Sequence, residues 1–241
     1  MDVHREEGSF RDSSGYVVYL DQKIYRLIYS SYKAQYDELV SSGLYSSLAE
    51  KGWLIPHLDI TDFAGTVPSS LHGNGELYKV IAPEQIPFIS YPYEWSPLQL
   101  KKAALLTLDI QLEALSKGFT LKDASAYNVQ FRGHTPVFID TLSFEKYEEG
   151  SPWQGYKQFC QQFLAPLLLS AYGHPELCAL QQLHLDGIPL KLVSRILPFR
   201  SRFSAFIAIH IHYHARLENN FSGAQKIKPK QLQLSKTRLI S

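Results

Sequence analysis

An α+β protein is predicted, with a small β-rich N-terminal part and a mainly helical C-terminal part. Three observations predict it. Short runs of Tyr, Val, Leu and Ile fill the first third of the chain. One long segment with capping residues at both ends starts at Ser96. A hairpin pattern over residues 129–139 then separates that helix from a second half whose apolar residues recur at helical spacing.

Tyr16 to Tyr29 reads as two strands joined around Asp21-Gln22, because β-branched and aromatic residues fit a pleated, half-buried surface. A helix is predicted from about Tyr32 to Leu39, with Ser30 or Ser31 positioned to cap it. Leu77 to Ile81 and Ile86 to Ser90 are two further strands, the second confined to a sheet edge by Pro87. Residues 1–95 thus form the β-rich lobe and end in Tyr91-Pro92-Tyr93-Glu94-Trp95, a connector. Gly73-Asn74-Gly75 lacks the strand-to-helix setting of a nucleotide-binding glycine loop and reads as a surface turn.

Residues 96–221 form the helical lobe. Ser96-Pro97-Leu98-Gln99 supplies an N-cap Ser, Pro at the first helical position and Gln three residues after the cap. Lys117-Gly118 supplies a basic last turn and a terminating glycine. Between them Leu98, Leu105, Leu108, Leu112, Leu115 and Phe119 recur as one stripe, predicted to be buried. Val129-Gln130-Phe131 and Pro136-Val137-Phe138-Ile139 are strand-like, joined by Arg132-Gly133-His134-Thr135.

Further on, a helix is predicted from Ser151-Pro152-Trp153, with Phe159, Phe163, Leu164, Leu167 and Leu168 on its apolar face and a kink at Pro166. Leu190, Val193, Ile196 and Leu197 mark another helix, closed by Pro198; together these helices are expected to bury the hairpin from below. His210, His212 and His214 alternate, and on a strand they would share a face as a metal cluster could demand. The run Phe203 to Ala208 favours a helix carrying partly buried imidazoles instead. Residues 222–241 carry Lys226, Lys228, Lys230, Lys236 and Arg238 without an acid and read as a solvated tail.

The chain is long and apolar enough for a substantial core, with 45% hydrophobic residues, well above disordered sequences. A net charge of +1 implies no broad attraction to nucleic acid or membrane. Two cysteines, a charged start over Met1 to Glu7 and no apolar run near the ~20 residues of a membrane helix point to the cytoplasm.

The chemistry-bearing stretch is Leu121 to Phe131. Asp123 is followed five residues on by Asn128, and the hairpin then delivers Asp140 to the same end as Asn128. Phosphoryl transfer through a metaphosphate-like transition state needs a carboxylate to orient the attacking hydroxyl and hard oxygen ligands for Mg²⁺. Asp123 fits the first role; the Asn128 amide oxygen and the Asp140 carboxylate fit the second. Asp and Asn are also ordinary turn residues, so the spacing gains weight from its setting between a long helix and a hairpin.

Four segments carry a more specific resemblance: Arg11-Asp12-Ser13-Ser14-Gly15, Ile86 to Trp95, Leu121 to Asn128, and Phe138-Ile139-Asp140-Thr141-Leu142-Ser143-Phe144-Glu145. From about Phe10 to about Asn220 the chain resembles the kinase-like region that precedes the catalytic domain in bacterial class I SAM-dependent methyltransferases. More distantly it is similar to the protein kinase and aminoglycoside phosphotransferase superfamily. The resemblance implies a protein-kinase-like two-lobed fold binding ATP and Mg²⁺, with the adenine at Tyr91 and Tyr93. Arg26 would stand where the phosphate-binding lysine normally lies and Glu38 would be its ion-pair partner; an ordinary solvated pair is the alternative for these two.

Departures accompany the likeness. Leu121 replaces the usual His, Thr141-Leu142 replaces Phe-Gly after Asp140, no Ala-Pro-Glu segment follows, and Ser13-Ser14-Gly15 has one glycine where protein kinases use three. A non-enzymatic pseudokinase or partner-binding module is therefore the alternative to a phosphotransferase. A SAM-dependent methyltransferase domain or subunit is the implied partner. The chain itself is not expected to methylate, since no strand followed by a glycine-rich SAM loop occurs in it.

Overall fold

The computed structural model describes residues 3–5, 14–61 and 75–221; Arg11 to Ser13, Gly73-Asn74 and the 222–241 tail lie outside them. The fold is α+β. Its first part is a five-stranded antiparallel sheet made of β1 (Val3–Arg5), β2 (Gly15–Leu20), β3 (Lys23–Tyr29), β4 (His57–Asp59) and β5 (Leu77–Pro83), in the order β1-β2-β3-β5-β4. The β2–β3 turn is two residues long, and Asp21 and Gln22 both have positive φ, the geometry whose twist matches the flanking strands.

Period-two alternation gives β3 two working faces. Leu27 and Tyr29 join Val18 and Val80 in a small cluster on one side, whereas Ile28 and Ile81 enter the main core on the other. Arg26 shares the parity of Ile28 and so points toward the rest of the molecule. Gly15, the one glycine of its loop, opens β2 against β3. A Cβ there would lie 2.1 Å from the Leu27 carbonyl oxygen and 2.9 Å from Leu142, so close backbone approach demands glycine.

Helices α1 (Lys33–Ser41) and α2 (Leu44–Glu50) cross over between β3 and β4. Neither Ser30 nor Ser31 caps α1: Ser30–Tyr32 forms a tight 3₁₀ turn that runs into the helix, and its N-cap, Tyr32, makes no side-chain cap bond. The predicted Ile86–Ser90 strand is absent. Pro87 removes a ladder donor, and the Gln130 side chain takes the partner strand's place, accepting from Ser90 N–H at 3.0 Å and donating to the Ser90 carbonyl at 3.0 Å.

Helix α3 (Pro97–Ser116) begins and ends as predicted, with the Ser96–Gln99 capping box and Gly118 at φ 84°. Its buried face is not the predicted one. Leu98 is 64% exposed, Leu105 50% and Leu112 43%, with Leu108 also exposed, while Leu100, Ala103, Ala104, Thr107, Ile110, Gln111 and Ala114 are buried; only Leu115 and Phe119 of the expected stripe enter the core. Alanines let neighbours approach closely, and Gln111 is buried because it hydrogen-bonds Thr120 and accepts from Leu121 N–H at 2.8 Å.

Beyond α3, the short strand β6 (Phe119–Leu121) pairs with β9 (Phe144–Lys146), and β7 (Val129–Arg132) pairs with β8 (Thr135–Phe138). The hairpin is clamped to the segment after α2: Ile55 N–H donates to the Phe138 carbonyl at 2.8 Å and Phe138 N–H to the Trp53 carbonyl at 2.8 Å. Phe138, Phe144 and Phe163 are fully buried between sheet, hairpin and helices. Each contributes about 2–3 kcal/mol by burial.

The next helix starts at Tyr156, not Ser151, as α4 (Tyr156–Phe159), a π-helical turn over Cys160–Leu164 and α5 (Ala165–Ala171). The π turn stands directly before Pro166, which has no N–H to offer its preceding turn. The two carbonyls left over are bonded from outside, Gln161 by Ile188 N–H at 3.0 Å and Gln162 by the Gln181 amide at 3.0 Å. The apolar face divides: Phe159, Phe163 and Leu167 join the main core, while Leu164 and Leu168 join a second cluster with α7 (Leu190–Ile196). The latter helix therefore builds its own core instead of burying the hairpin. Cys160 and Cys178 are free and buried.

The chain described ends in α8 (Ala205–Ile207), a π-helical segment Ala208–Tyr213 and α9 (His214–Phe221), preceded by α6 (Leu180–Leu183) far upstream. His210 bonds the Tyr156 hydroxyl, and His212 lies between the Ser194 and Ser201 hydroxyls at 2.7 and 2.9 Å, so the imidazoles serve helix packing. No helix among the described residues is long and apolar enough to cross a membrane.

Candidate functional site

The segment from Leu121, the last residue of β6, to the 3₁₀ turn Ala126–Asn128 is held at several points of its backbone by side chains from elsewhere. Leu121 N–H donates to Gln111 and the Leu121 carbonyl accepts from Trp153 Nε1 at 2.8 Å; Ala124 N–H donates to Gln158 at 2.8 Å and Ala126 N–H to Gln162 at 2.7 Å. Gln111, Gln158 and Gln162 sit on α3, α4 and the π turn, so three helical segments fix one loop. A loop held in this way presents its side chains in a set geometry.

Asp123 accepts from Ser125 N–H at 2.9 Å. Burial pushes its carboxyl above the ordinary value and the negative charge of Asp140 adds to the rise, while hydrogen bonds from Ser125, Gln158 and Asn128 oppose it. The Asp140 carboxylate is therefore near enough for its charge to be felt at Asp123.

Asp140 follows β8. Its Oδ1 accepts from Leu142 N–H at 3.1 Å and pairs with the Arg26 guanidinium at 3.2 Å; its Oδ2 accepts from Ser143 Oγ at 2.5 Å. Ser143 Oγ in turn accepts from the Asn128 amide at 3.3 Å. Ile139 N–H donates to the Asn128 carbonyl at 2.8 Å, which closes the hairpin base and sets Asn128 beside Asp140. Arg26, Asp140 and Asn128 are thus joined directly or through Ser143, and Asp123 lies within electrostatic reach of Asp140.

Glu38 is not among these residues. Its carboxylate pairs with Lys146 at 2.8 Å on the surface, and Arg26 meets Asp140 instead. From α1, Gln35 reaches inward beside the buried Tyr36 and Leu39 and donates to the Phe144 carbonyl at 2.8 Å, the atom to which the Tyr32 hydroxyl also donates at 2.6 Å. Tyr91 and Tyr93 stack on each other at 5.4 Å with 8° between planes and lie near Tyr127 of the loop. Among the described residues no hydrogen bond or ring contact joins them to Arg26, Asp123 or Asp140.

Two contributors escape a motif search. Lys122 reaches back to Ser14 Oγ at 3.2 Å, with its ammonium 5.0 Å from the Tyr32 ring centroid. Ser143 joins the two metal-ligand candidates. Its sequence signal is its place three residues after Asp140, an arrangement in which a hydroxyl commonly bonds back to a turn carboxylate.

Chemically these residues offer two carboxylates and an amide oxygen, hard donors of the kind Mg²⁺ takes, with the Arg26 guanidinium on Asp140 as a cation for phosphate and Lys122 next in sequence to Asp123. No family model matches the chain. It is 37% identical over 225 residues to nodulation protein NoeA of Rhizobium meliloti (strain 1021), a match covering 92% of the chain and 45% of that relative. The chain therefore spans less than half the length of the curated relative it matches.

Proposed function

We propose that this site binds Mg²⁺ and the phosphates of ATP in a protein-kinase-like, two-lobed module that serves a SAM-dependent methyltransferase domain or subunit. The observation that carries the reading is Arg26 on β3 meeting Asp140 at the hairpin base at 3.2 Å, with Asn128 one hydroxyl away. A cation from the sheet, a metal-type carboxylate after a hairpin and an orienting carboxylate on the preceding loop are the parts phosphoryl transfer requires. The succession of sheet, connector, long helix, fixed loop and hairpin supports the same reading. Asp123 would orient the acceptor hydroxyl; Asn128 and Asp140 would hold Mg²⁺, which would neutralise developing phosphate charge. A cytoplasmic setting, rich in Mg-ATP and reducing toward Cys160 and Cys178, suits that role.

The second reading is a pseudokinase that binds nucleotide or a partner without turnover. It is favoured by Asp140 being engaged already by Arg26 and Ser143, and by Leu121 and Thr141-Leu142 at altered positions.

The test is thermal denaturation with ATP, with and without Mg²⁺, followed by radiolabel transfer. At a hundredfold excess over Kd, Mg-ATP should stabilise the chain by about 2.7 kcal/mol. Asp140→Asn, which keeps the volume and one acceptor, should remove the Mg²⁺-dependent part. Equal responses of wild type and variant would overturn the site. Binding without transfer to any acceptor would favour the pseudokinase.

A further inference from the structure

From Gly187 to Leu217 the chain contains no acidic residue, yet it carries Lys191, Arg195, Arg200, Arg202 and Arg216. The net charge of +1 conceals this local excess. The fold concentrates it: Lys191, Arg195, Arg202 and Arg216 line one concave site of about 600 Å³, together with Ser194 and His212. Among the described residues none of these four cations forms an ion pair.

Exposed apolar side chains adjoin the same site. Phe199 is 70% exposed and Phe203 80%, on the turn that also carries Arg200 and Arg202. Phe206, Ile209 and Tyr213 are each more than half exposed and follow one another at spacings of three and four along the next helix, so they share its outer side. The two kinds of residue are in contact, since the Arg202 guanidinium lies 5.6 Å from the Phe199 ring centroid and Phe199 meets Phe203 edge-on at 5.6 Å.

We propose that this surface of α7, the Phe199–Phe203 turn and the Ala205–Tyr213 helix docks the protein on an anionic phospholipid bilayer, with the cations on lipid phosphates and the phenylalanines inserted at the headgroup boundary. Rings beside clustered arginines are what an interfacial surface needs, one for the apolar boundary and the other for the negative leaflet. Nucleic acid would use cations and aromatics too, but by stacking bases on open ring faces. Here Arg202 lies over Phe199 and His210 tilts against Phe206 at 4.4 Å, so the rings offer edges for insertion more than faces for stacking.

The experiment is co-sedimentation of the full chain with vesicles of phosphatidylcholine alone and of phosphatidylcholine mixed with phosphatidylglycerol. Binding should require phosphatidylglycerol and fall in high salt. Arg195→Gln with Arg202→Gln should weaken it roughly 30-fold, at the established strength of about 1 kcal/mol per interfacial cation. Phe199→Ser with Phe203→Ser should weaken it on the order of tenfold while leaving Tm unchanged, because both rings are solvent-exposed. Either pair suffices should the other fail to fold. Absence of wild-type binding to anionic vesicles, or unchanged binding in both pairs, overturns the proposal. So does tighter binding to single-stranded RNA, or a concentration-dependent dimer that the phenylalanine substitutions dissociate.

Discussion

Arg26 and Asp140 meet at 3.2 Å, joining the third strand of the sheet to the base of the hairpin more than a hundred residues later. Both side chains are largely buried, at 14% and 19% exposure, so neither charge is well solvated without the other.

Removing the cation should therefore cost more than a surface pair would. Arg26→Leu is expected to destabilise the fold by about 3 kcal/mol, because it strands a buried carboxylate. Asp140→Asn should cost less, since an amide still accepts from Leu142 N–H and Ser143. The informative measurement is Mg²⁺ without nucleotide: it should raise the Tm of Arg26→Gln more than that of wild type, replacing the missing positive charge at Asp140. An equal response would mean that no metal reaches this carboxylate.

On α3 the expected effects follow the observed face and reverse the pattern-based expectation. Ile110→Ala should cost about 2–5 kcal/mol as a core cavity. Leu108→Ser and Leu112→Ser should each stay within about 0.5 kcal/mol, as surface substitutions do. Urea denaturation of the three variants decides it; a large loss at Leu108 or Leu112 would require that face to be covered.

Pro166 and Gln181 should be coupled. Gln181→Leu deprives the buried Gln162 carbonyl of its donor, an expected loss of about 1–3 kcal/mol. Pro166→Ala restores a backbone N–H one turn after Gln162, so the same Gln181→Leu change should cost less in that background. A double-mutant cycle with no interaction energy would show that the π turn does not depend on the outside donor.

Much of this was legible because it is local. Tyr16 to Tyr29 and residues 129–139 alternate with a period of two, and Ser96, Gln99 and Gly118 punctuate α3 as its caps. That Asn128 and Asp140 lie at one end of the hairpin was legible from their spacing and setting, since a two-strand hairpin returns the chain to its starting end whatever surrounds it. Helix rotation was not legible. Leucine counts assigned α3 its core face, whereas close packing selected Ala103, Ala104 and Ala114, and a buried hydrogen-bond network selected Gln111. The same blindness put Glu38 beside Arg26; how α1 is turned depends on Tyr32 and Gln35 bonding the Phe144 carbonyl, a contact over a hundred residues long. The Ile86–Ser90 strand failed for a related reason, because a side chain, Gln130, did the work of a neighbouring strand.

The raised Asp123 carboxyl gives a pH dependence whose sign is fixed. Burial and the charge of Asp140 make the folded protein hold this proton more tightly than the unfolded chain, whose Asp titrates near 4. Over the interval between the unfolded and folded values the native state binds more protons, so this residue lowers stability as pH rises through that interval and its cost is complete above it. Asp123→Asn keeps the acceptor for Ser125 N–H but carries no charge. The variant should match wild type in acid, below the unfolded carboxylate range, and become the more stable of the two as pH rises toward neutrality. Tm measured for both proteins across that range checks it. Should the difference stay constant, or favour wild type at neutral pH, Asp123 would not be a buried carboxylate sharing its site with Asp140, and its assignment as the hydroxyl-orienting group would lose its electrostatic basis.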